Sequence, residues 1–598
     1  MTKQNSSYST LGLNNTPILG IDLGTTNSLV AVWFNGQSML IPNVLGSFLT
    51  PSAISIDEDG SILVGQAAKD RVQTHPMHSV ASFKRFMGSN RLEKIQDKSF
   101  RPEELSALVL KSLKQDAEHF FLQQHELSFQ FQEAVITVPA YFSDAQRQAT
   151  RNAGMIAGFE KIHLLNEPTA AALAYGLHQN QEETQFLVFD FGGGTFDVSI
   201  LELFEGVMEV KSTAGDNQLG GDDIDNALLK LFVQKTSLPS SAMANPQIKA
   251  KLLAMAETAK RALNSKTNFV MQLQYTENAQ EPKTYQLDLN LELFKEAIAP
   301  ILQRLRTPVE RAMRDASLRT ADLDSIVLAG GSTRMDEVRK LATKMFGRFP
   351  EIALNPDEVV ARGAAVQAGL IQKDEALSER VMTDVCPYSL GIETASNAQD
   401  GSIIRGLMSI VIERNTVIPT SRVETYGPIY EEQKSIRFNV YQGEARKVQD
   451  NIILGSFDVP LPNGALGEVV TDVRFTYDVN GLLEVEVTPK KNGKKVAEPK
   501  VLVIQSSAQR LTEQEIADRL KNLADLKIHP REKMQARALM SRAERIYSQL
   551  QGHIRDHLSL LINEYEITLE KQDPSSITKM QKKLEQFLDQ IENDSYIN

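Results

Sequence analysis

The sequence predicts an α/β unit, then an antiparallel β unit, then a helical tail. Three observations carry this reading. Up to about Lys373, short apolar runs alternate with stretches of helical periodicity. From Cys386 to about Ser506, apolar residues recur at every second position. From Leu511 to Asn598 the period is again that of a helix.

In the first segment, Ile18–Asp22, Ala134–Val138, Phe186–Phe191 and Ser325–Ala329 read as strands. Pro102–Gln123 reads as a helix, with Pro102 at its start and Leu105, Val109, Leu113 and Phe120 near helical spacing. Residues 374–385, DEALSERVMTDV, read as a linker. In the β unit Val473, Phe475, Tyr477 and Val479 alternate with polar residues, Asn480-Gly481 follows, and Leu483, Val485 and Val487 resume the alternation. That is a hairpin with an Asn-Gly turn, and Ile436, Phe438 and Val440 share its period. In the tail, Leu539, Ala543, Ile546, Leu550, Ile554, Leu558 and Leu561 form one apolar stripe, read as a single long helix. Pro530 and Pro574 mark helix breaks. The expected divisions are a disordered tail over 1–16, then 17–373, the linker 374–385, a β-sandwich over 386–506 and helices over 507–598.

The chain has 598 residues, enough for about four domains at roughly 150 residues each. Its 42% hydrophobic and 23% charged content is that of a globular protein. A net charge of −12 disfavours non-specific nucleic-acid binding. The single cysteine, Cys386, excludes an intrachain disulfide and a Cys-rich metal cluster, and the nine histidines show no HExxH spacing. Residues 1–16 lack the apolar core of a signal peptide, and no run of about 18 apolar residues exists. The expectation is a cytoplasmic protein that engages neither nucleic acid nor membrane.

An internal repeat carries the chemistry. ILGIDLGTTNSLVAV, residues 18–32, matches FLVFDFGGGTFDVSI, residues 186–200: strand, Asp, glycine turn with Thr, strand. Gly24 and Gly192, Gly193 and Gly194 let the backbone approach an anion closely, and their N–H groups can face phosphate. Asp22 and Asp190, at the strand ends, suit Mg²⁺ held through its waters. One such motif alone is as readily an ordinary hairpin with a solvated aspartate; the matched pair argues otherwise. A third element, VLAGGSTRM, runs from a strand into Gly330-Gly331, with Ser332 and Thr333 suited to cap a helix. There is neither GxxxxGK[ST] nor a kinase signature set.

IDLGTTNS, VITVPAYFSDAQRQAT, LLNEPTAAALAYG, FDFGGGTFDVSIL, LGGDDID and VLAGGSTRM, in this order, resemble the ATPase domain of the 70-kDa heat-shock chaperone family, of the actin and sugar-kinase superfamily. SLGIET, ERNTVIPT and YQGE extend the resemblance to about residue 525, and MTDVCPYSLGIET and RVETY are most similar to its HscC-type bacterial subgroup. The resemblance implies an actin-like, ribonuclease-H-like two-lobed ATPase domain, a β-sandwich that binds peptide, and a short α-helical lid. It implies ATP or ADP with Mg²⁺, and K⁺ as a further cofactor. Thr25 and Thr26, with Gly192–Gly194 and Thr195, would bind phosphate, and Lys84 would meet the γ-phosphate. Glu167 and Asp197 would orient the attacking water, with Asp22 and Asp190 on the metal side. Glu257, Lys260, Arg261 and Asn264, at i, i+3, i+4 and i+7 of one helix, would contact ribose and adenine, completed by Gly330, Gly331, Ser332, Arg334 and Asp357. By periodicity alone those four read as a salt-bridged surface helix, and Lys84 as a solvated lysine.

Pro139 and Arg147 match a relay between domains, with Asp384 and Val385 docking the linker. Ile392, Thr394, Ile436 and Phe438 match a peptide groove, and Ala395 with Ile429 the pair that bridges it; core packing is the plain alternative for Ile436 and Phe438. The implied partners are extended polypeptide, a J-domain co-chaperone and a nucleotide exchange factor. Asn264 stands where Ser is usual, and three further departures are His163 where an Arg usually meets the J-domain, a long Ala395–Arg405 loop, and short C-terminal helices. The expected function is an ATP-driven chaperone. A small-molecule kinase, an actin-like filament protein and a regulator of one folded partner are the alternatives.

Overall fold

The computed structural model describes residues 16–595 apart from 177–182, 205–206, 277–280, 352–353, 375–376, 378–380, 398–402, 479–480, 505–535, 537–538, 541, 544–545, 548–549, 551 and 572. The N-terminal tail and the first part of the expected lid, Pro530 included, therefore lie outside the described residues. The chain forms two compact units, the first running to Pro387 and the second from Tyr388.

In the first unit, strands β1 (Leu19–Asp22), β2 (Asn27–Phe34), β3 (Gln37–Ile41), β4 (Glu133–Val138) and β5 (Lys161–Asn166) form a mixed sheet in the order β5-β4-β1-β2-β3. A second sheet holds β6 (Glu183–Phe191), β7 (Phe196–Phe204), β8 (Val207–Asp216), β9 (Ser325–Ala329) and β10 (Val381–Val385) in the order β9-β6-β7-β8-β10. The two sheets share a plan. Each has an antiparallel hairpin, β1–β2 or β6–β7, whose first strand also pairs in parallel with β4 or β9. The sequence repeat is thus the pair of hairpins at the heart of the two sheets. Their strands are buried almost throughout, which is why they read as continuous apolar runs.

Helices α1 (Pro102–His125), α2 (Asp144–Ile156), α3 (Glu167–Gly176), α4 (Gly221–Thr236), α5 (Pro246–Ala262), α6 (Asp336–Phe346) and α7 (Val359–Ile371) cover these sheets. α3 packs on strands of both sheets and on α7. EPTAAALAYG of α3 is buried throughout, and α7 brings Gly363 against it. A Cβ at Gly363 would stand 1.6 Å from the Ala170 carbonyl oxygen, and one at Gly20 2.3 Å from the Ala365 nitrogen. Small residues let backbone lie on backbone here, and a larger one would force the helices apart. Phe186, Phe189, Phe191 and Phe196 are fully buried in the second sheet, and Phe83, Phe121, Phe131 and Phe142 around the first.

Two expectations change here. Ser332 and Thr333 do not cap a helix: Gly331–Arg334 is a 3₁₀ turn, α6 begins at Asp336, and its N-cap position is Met335. Ser332 instead donates to the Gly192 carbonyl at 2.8 Å, and Thr333 to that of Gly330 at 2.7 Å. Those local acceptors take the hydroxyls away from capping. The end of the segment read as a linker, Val381–Val385, is strand β10, paired in parallel with β8 at Val207↔Val381.

In the second unit, β11 (Leu390–Asn397), β12 (Ile403–Ile412), β14 (Ser435–Gln442) and β15 (Ile452–Pro460) form a sheet in the order β12-β11-β14-β15. β13 (Thr420–Tyr426), β16 (Val469–Tyr477), β17 (Leu483–Lys491) and β18 (Lys500–Ile504) form another, in which β17 pairs with both β16 and β18. Val473, Phe475, Val485 and Val487 are buried on one face of the β16–β17 hairpin, as the alternation predicts. Gly481 sits at φ +81°, the left-handed conformation a tight turn needs.

The C-terminal helices α8 (Gly552–Lys571) and α9 (Pro574–Ser595) follow described helical residues at Leu539, Met540, Arg542, Ala543, Ile546 and Tyr547. The stripe read as one helix is broken: Leu550 lies outside any helix, and Ile554 is exposed. Gly552 at the break disfavours continuation by about 1 kcal/mol relative to Ala. The break lets Leu539, Ala543 and Ile546 share a core with Leu558, Leu561, Tyr565, Leu569, Leu584 and Leu588.

Candidate nucleotide site

The glycine turns of the two hairpins meet. A Cβ at Gly193 would lie 1.8 Å from Thr26 Oγ1, and one at Gly194 2.8 Å from Thr25 Cγ2. The start of α4 joins them, since a Cβ at Gly220 would stand 2.2 Å from the Gly193 carbonyl oxygen. Hydroxyls pin the first turn: the Gly24 N–H donates to Ser28 at 3.1 Å, and Ser52 donates to the Gly24 carbonyl at 2.7 Å. Behind the turns opens a cleft of about 1050 Å³. Of the residues expected at phosphate, metal, water and adenosine, all line it except Gly194 and Asp197.

At its closed end Lys84 Nζ donates to Glu167 Oε1 at 2.6 Å, and Lys84 is only 3% exposed. The Phe142 ring lies 5.6 Å from the ammonium. Asp22, at the end of β1, accepts from Thr137 at 3.2 Å. Asp190 and Asp197 face one another across the β6–β7 hairpin. The Tyr141 N–H donates to Asp197 Oδ1 at 3.2 Å, while Asp197 Oδ2 and Thr26 Oγ1 are buried without a partner. Burial, then the charge of Glu167, pushes Asp22 up to about 7 and Asp197 up to about 8. The same two causes, joined by Asp197 and Asp22, hold Asp190 well above the usual carboxylate range. So much acid around one ammonium is a site made for added positive charge. Among the described residues no three His, Cys, Asp or Glu side chains gather closely enough to hold a metal directly.

At the open end, Glu257 meets Lys69 at 3.2 Å and Arg261 at 2.5 Å. Lys260 donates to Asp225 at 2.8 Å and to the Gly221 carbonyl at 3.1 Å. Arg334 donates to Asp357 and to Asn355, both at 2.6 Å. Asn264 stands just past the end of α5 and bonds to backbone at Arg334 and Asp336.

Pro139 and Arg147 sit in the turn after β4 and in α2. Arg147 donates to the Ala140 carbonyl at 3.0 Å and to Asn166 Oδ1 at 2.7 Å. Asn166 Nδ2 in turn donates to Asp384, at 3.0 and 2.8 Å to its two oxygens. Asp384 is held up by burial, and Val385 beside it is buried.

In the second unit, Ile392 and Phe438 are buried in the sheet, the Phe438 ring 6.0 Å from Phe457. Thr394 donates to the Leu407 carbonyl at 3.3 Å. Ala395, Ile429 and Ile436 are half-buried.

Sequence reasoning passed over several groups. Asp225 holds Lys260, Arg85 pairs with Asp223 at 2.9 Å, and Thr137 holds Asp22. The spacing of Asp222 and Asp225 in the first turns of a helix that follows two glycines was the available signal. His163 binds Glu133 at 2.7 Å, a contact that no local pattern announces.

Facing glycine turns, a buried lysine and converging carboxylates are the equipment of a protein that handles phosphoryl groups. Comparison with known proteins makes this specific. The family model described as "Hsp70 protein" matches residues 18–97 and 91–598. The stromal 70 kDa heat shock-related protein of the Pisum sativum chloroplast is 41% identical over 514 residues, 81% of this chain and 70% of that one. The chaperone protein DnaK of Mycoplasmopsis agalactiae is 37% identical over 544 residues, 90% of this chain and 87% of that one. The chain belongs to the Hsp70 family. It is a molecular chaperone and an ATPase, with ATP-dependent binding of its substrate, using ATP and ADP with Mg²⁺. No helix among the described residues is long and apolar enough to cross a membrane.

Proposed function

We propose that the first unit is an actin-like, two-lobed ATPase in which ATP lies along the cleft, phosphates at the glycine turns and adenosine between Glu257, Lys260, Arg261 and Arg334. The Lys84–Glu167 pair is the observation that carries this. A buried ammonium fixed by a 2.6 Å bond supplies a placed charge in a low-dielectric pocket, ready for the γ-phosphate. The Tyr141 N–H holds one Asp197 oxygen and leaves Oδ2 to take a proton from the attacking water. Asp22 and Asp190 would hold Mg²⁺, which would neutralise charge on the phosphates; K⁺ is part of the proposal too.

The bonds from Tyr141 to Asp197, and from Arg147 through Asn166 to Asp384, support a link between the cleft and strand β10. Nucleotide would bias that link, and extended apolar polypeptide, gripped near Ile392, Thr394, Ala395, Ile429, Ile436 and Phe438, would bias it from the other side. Partners of the proposal are unfolded polypeptide, a J-domain co-chaperone and an exchange factor. His163, tied to Glu133, gives the co-chaperone an imidazole where the resemblance leads one to expect a guanidinium. The HscC-type reading rests on MTDVCPYSLGIET and RVETY, and a cytoplasmic setting is part of the proposal.

Measuring ATP turnover with an extended apolar peptide and with a panel of sugars tests the proposal. Peptide should accelerate turnover, and no sugar should become phosphorylated. A sugar-dependent rate with a phosphorylated product would replace it with a kinase.

A further inference from the structure

Residues 334–336 form a strap between two hollows. On one side lies the cleft of about 1050 Å³, on the other a hollow of about 220 Å³, and both are bordered by Asn264 and Met335. Met335 itself is buried in the core, so packing fixes the middle of the strap and leaves its flanks to polar contacts. Met335 is extended, at φ −68° and ψ 129°. Asn264 Nδ2 donates to the Arg334 carbonyl at 2.7 Å, and the Asp336 N–H donates to Asn264 Oδ1 at 2.9 Å. The side-chain amide thus pairs with the backbone on either side of Met335, as a neighbouring strand would. Only an amide side chain offers both a donor and an acceptor in that geometry; a carboxylate lacks the donor. The Arg334 guanidinium, on Asp357 and Asn355, is a further anchor at the cleft side.

We infer that Asn264 is a positioning residue for the adenosine end of the cleft: it holds the strap so that Arg334 stays at the rim, rather than reading the base itself. The inference rests on the cleft being the ATP site. The phosphate end, with Lys84 and the carboxylates, is untouched by it.

The test uses the full chain, with ADP affinity, KM for ATP and kcat measured for N264A, N264D, R334A and the double variant N264A/R334A. N264A and N264D should each weaken ADP binding about tenfold, the factor that one to two net hydrogen bonds represent. KM for ATP should rise in proportion while kcat stays within about twofold, a split that general destabilisation would not produce. The double variant should bind no worse than R334A alone, because both act through one strap. Wild-type ADP affinity in N264A, or in N264D, overturns the inference, as do losses that multiply in the double variant. A wild-type chain that binds no ATP overturns the cleft assignment together with it; a wild type that binds, with N264A unchanged, overturns this inference alone.

Discussion

Lys84 is a charge kept almost out of water, and its neighbours decide what it costs. Glu167 at 2.6 Å and the Phe142 ring hold the ammonium where a transferred phosphoryl group would gather charge. Lys84→Ala should leave ATP binding largely intact and slow single-turnover hydrolysis by at least about tenfold, the effect of about 1.4 kcal/mol in the transition state. Rapid-quench measurement decides it, and wild-type turnover would remove Lys84 from the chemistry. Asp116, on α1 and far along the chain from the cleft motifs, gives a pH-dependent case. Burial pushes it up to about 6, against the Val44 N–H and the His119 charge, which pull it down. The folded chain therefore holds that proton more tightly than the unfolded one, and this residue's contribution to stability falls as pH rises from about 4 to about 6, then stays level. Asp116→Asn keeps an acceptor without the charge. It should melt about 2 °C or more above wild type at pH 8, with a smaller gain at pH 5; equal gains at both would deny the role of charge. Residue chemistry was legible in the sequence where it sits in a repeated motif, as for Asp22 and Asp190. Asp116, Thr137 and Glu133 were not, because burial and partners distant in sequence define them.

Elements followed their periods. The β16–β17 hairpin showed in its alternation, and α1 in its Pro102 start, where the Arg101 N–H bonds Glu104 at 2.7 Å. Strand β10 did not show, since its hydrogen bonds go to residues some 170 positions earlier, Val207–Glu209, and nothing local signals such pairing. The same holds for the late start of α6: Ser332 is drawn to Gly192, which no window around it contains. β10 also carries Asp384. Asp384→Asn keeps an acceptor for Asn166 but removes the charge near Arg147. Peptide stimulation of ATP turnover should fall by at least about threefold in this variant, while peptide affinity without nucleotide holds. Full stimulation would show that Asp384 has no part in coupling.

In the whole molecule, the C-terminal bundle directs its apolar residues into a core of its own, with Leu558, Leu561, Tyr565, Leu584 and Leu588 buried there. Among the described residues Ile554, Leu560 and Ile567 stay exposed, a small apolar area for clamping a bound chain, so closure should be weak. Deleting residues after Pro530 should change the peptide off-rate in ADP by less than about tenfold, or about 1.4 kcal/mol. A hundredfold acceleration in a fluorescent-peptide assay would mean a firm lid. Strand β10 has a consequence at this scale too. It is five residues long, and its main-chain pairs with β8, at Val381, Met382 and Thr383, are largely indifferent to which side chains they carry. Peeled from β8, those residues become leash, about 17 Å of it at roughly 3.3 Å per residue. The same short stretch is therefore a fastening when zipped and slack when free.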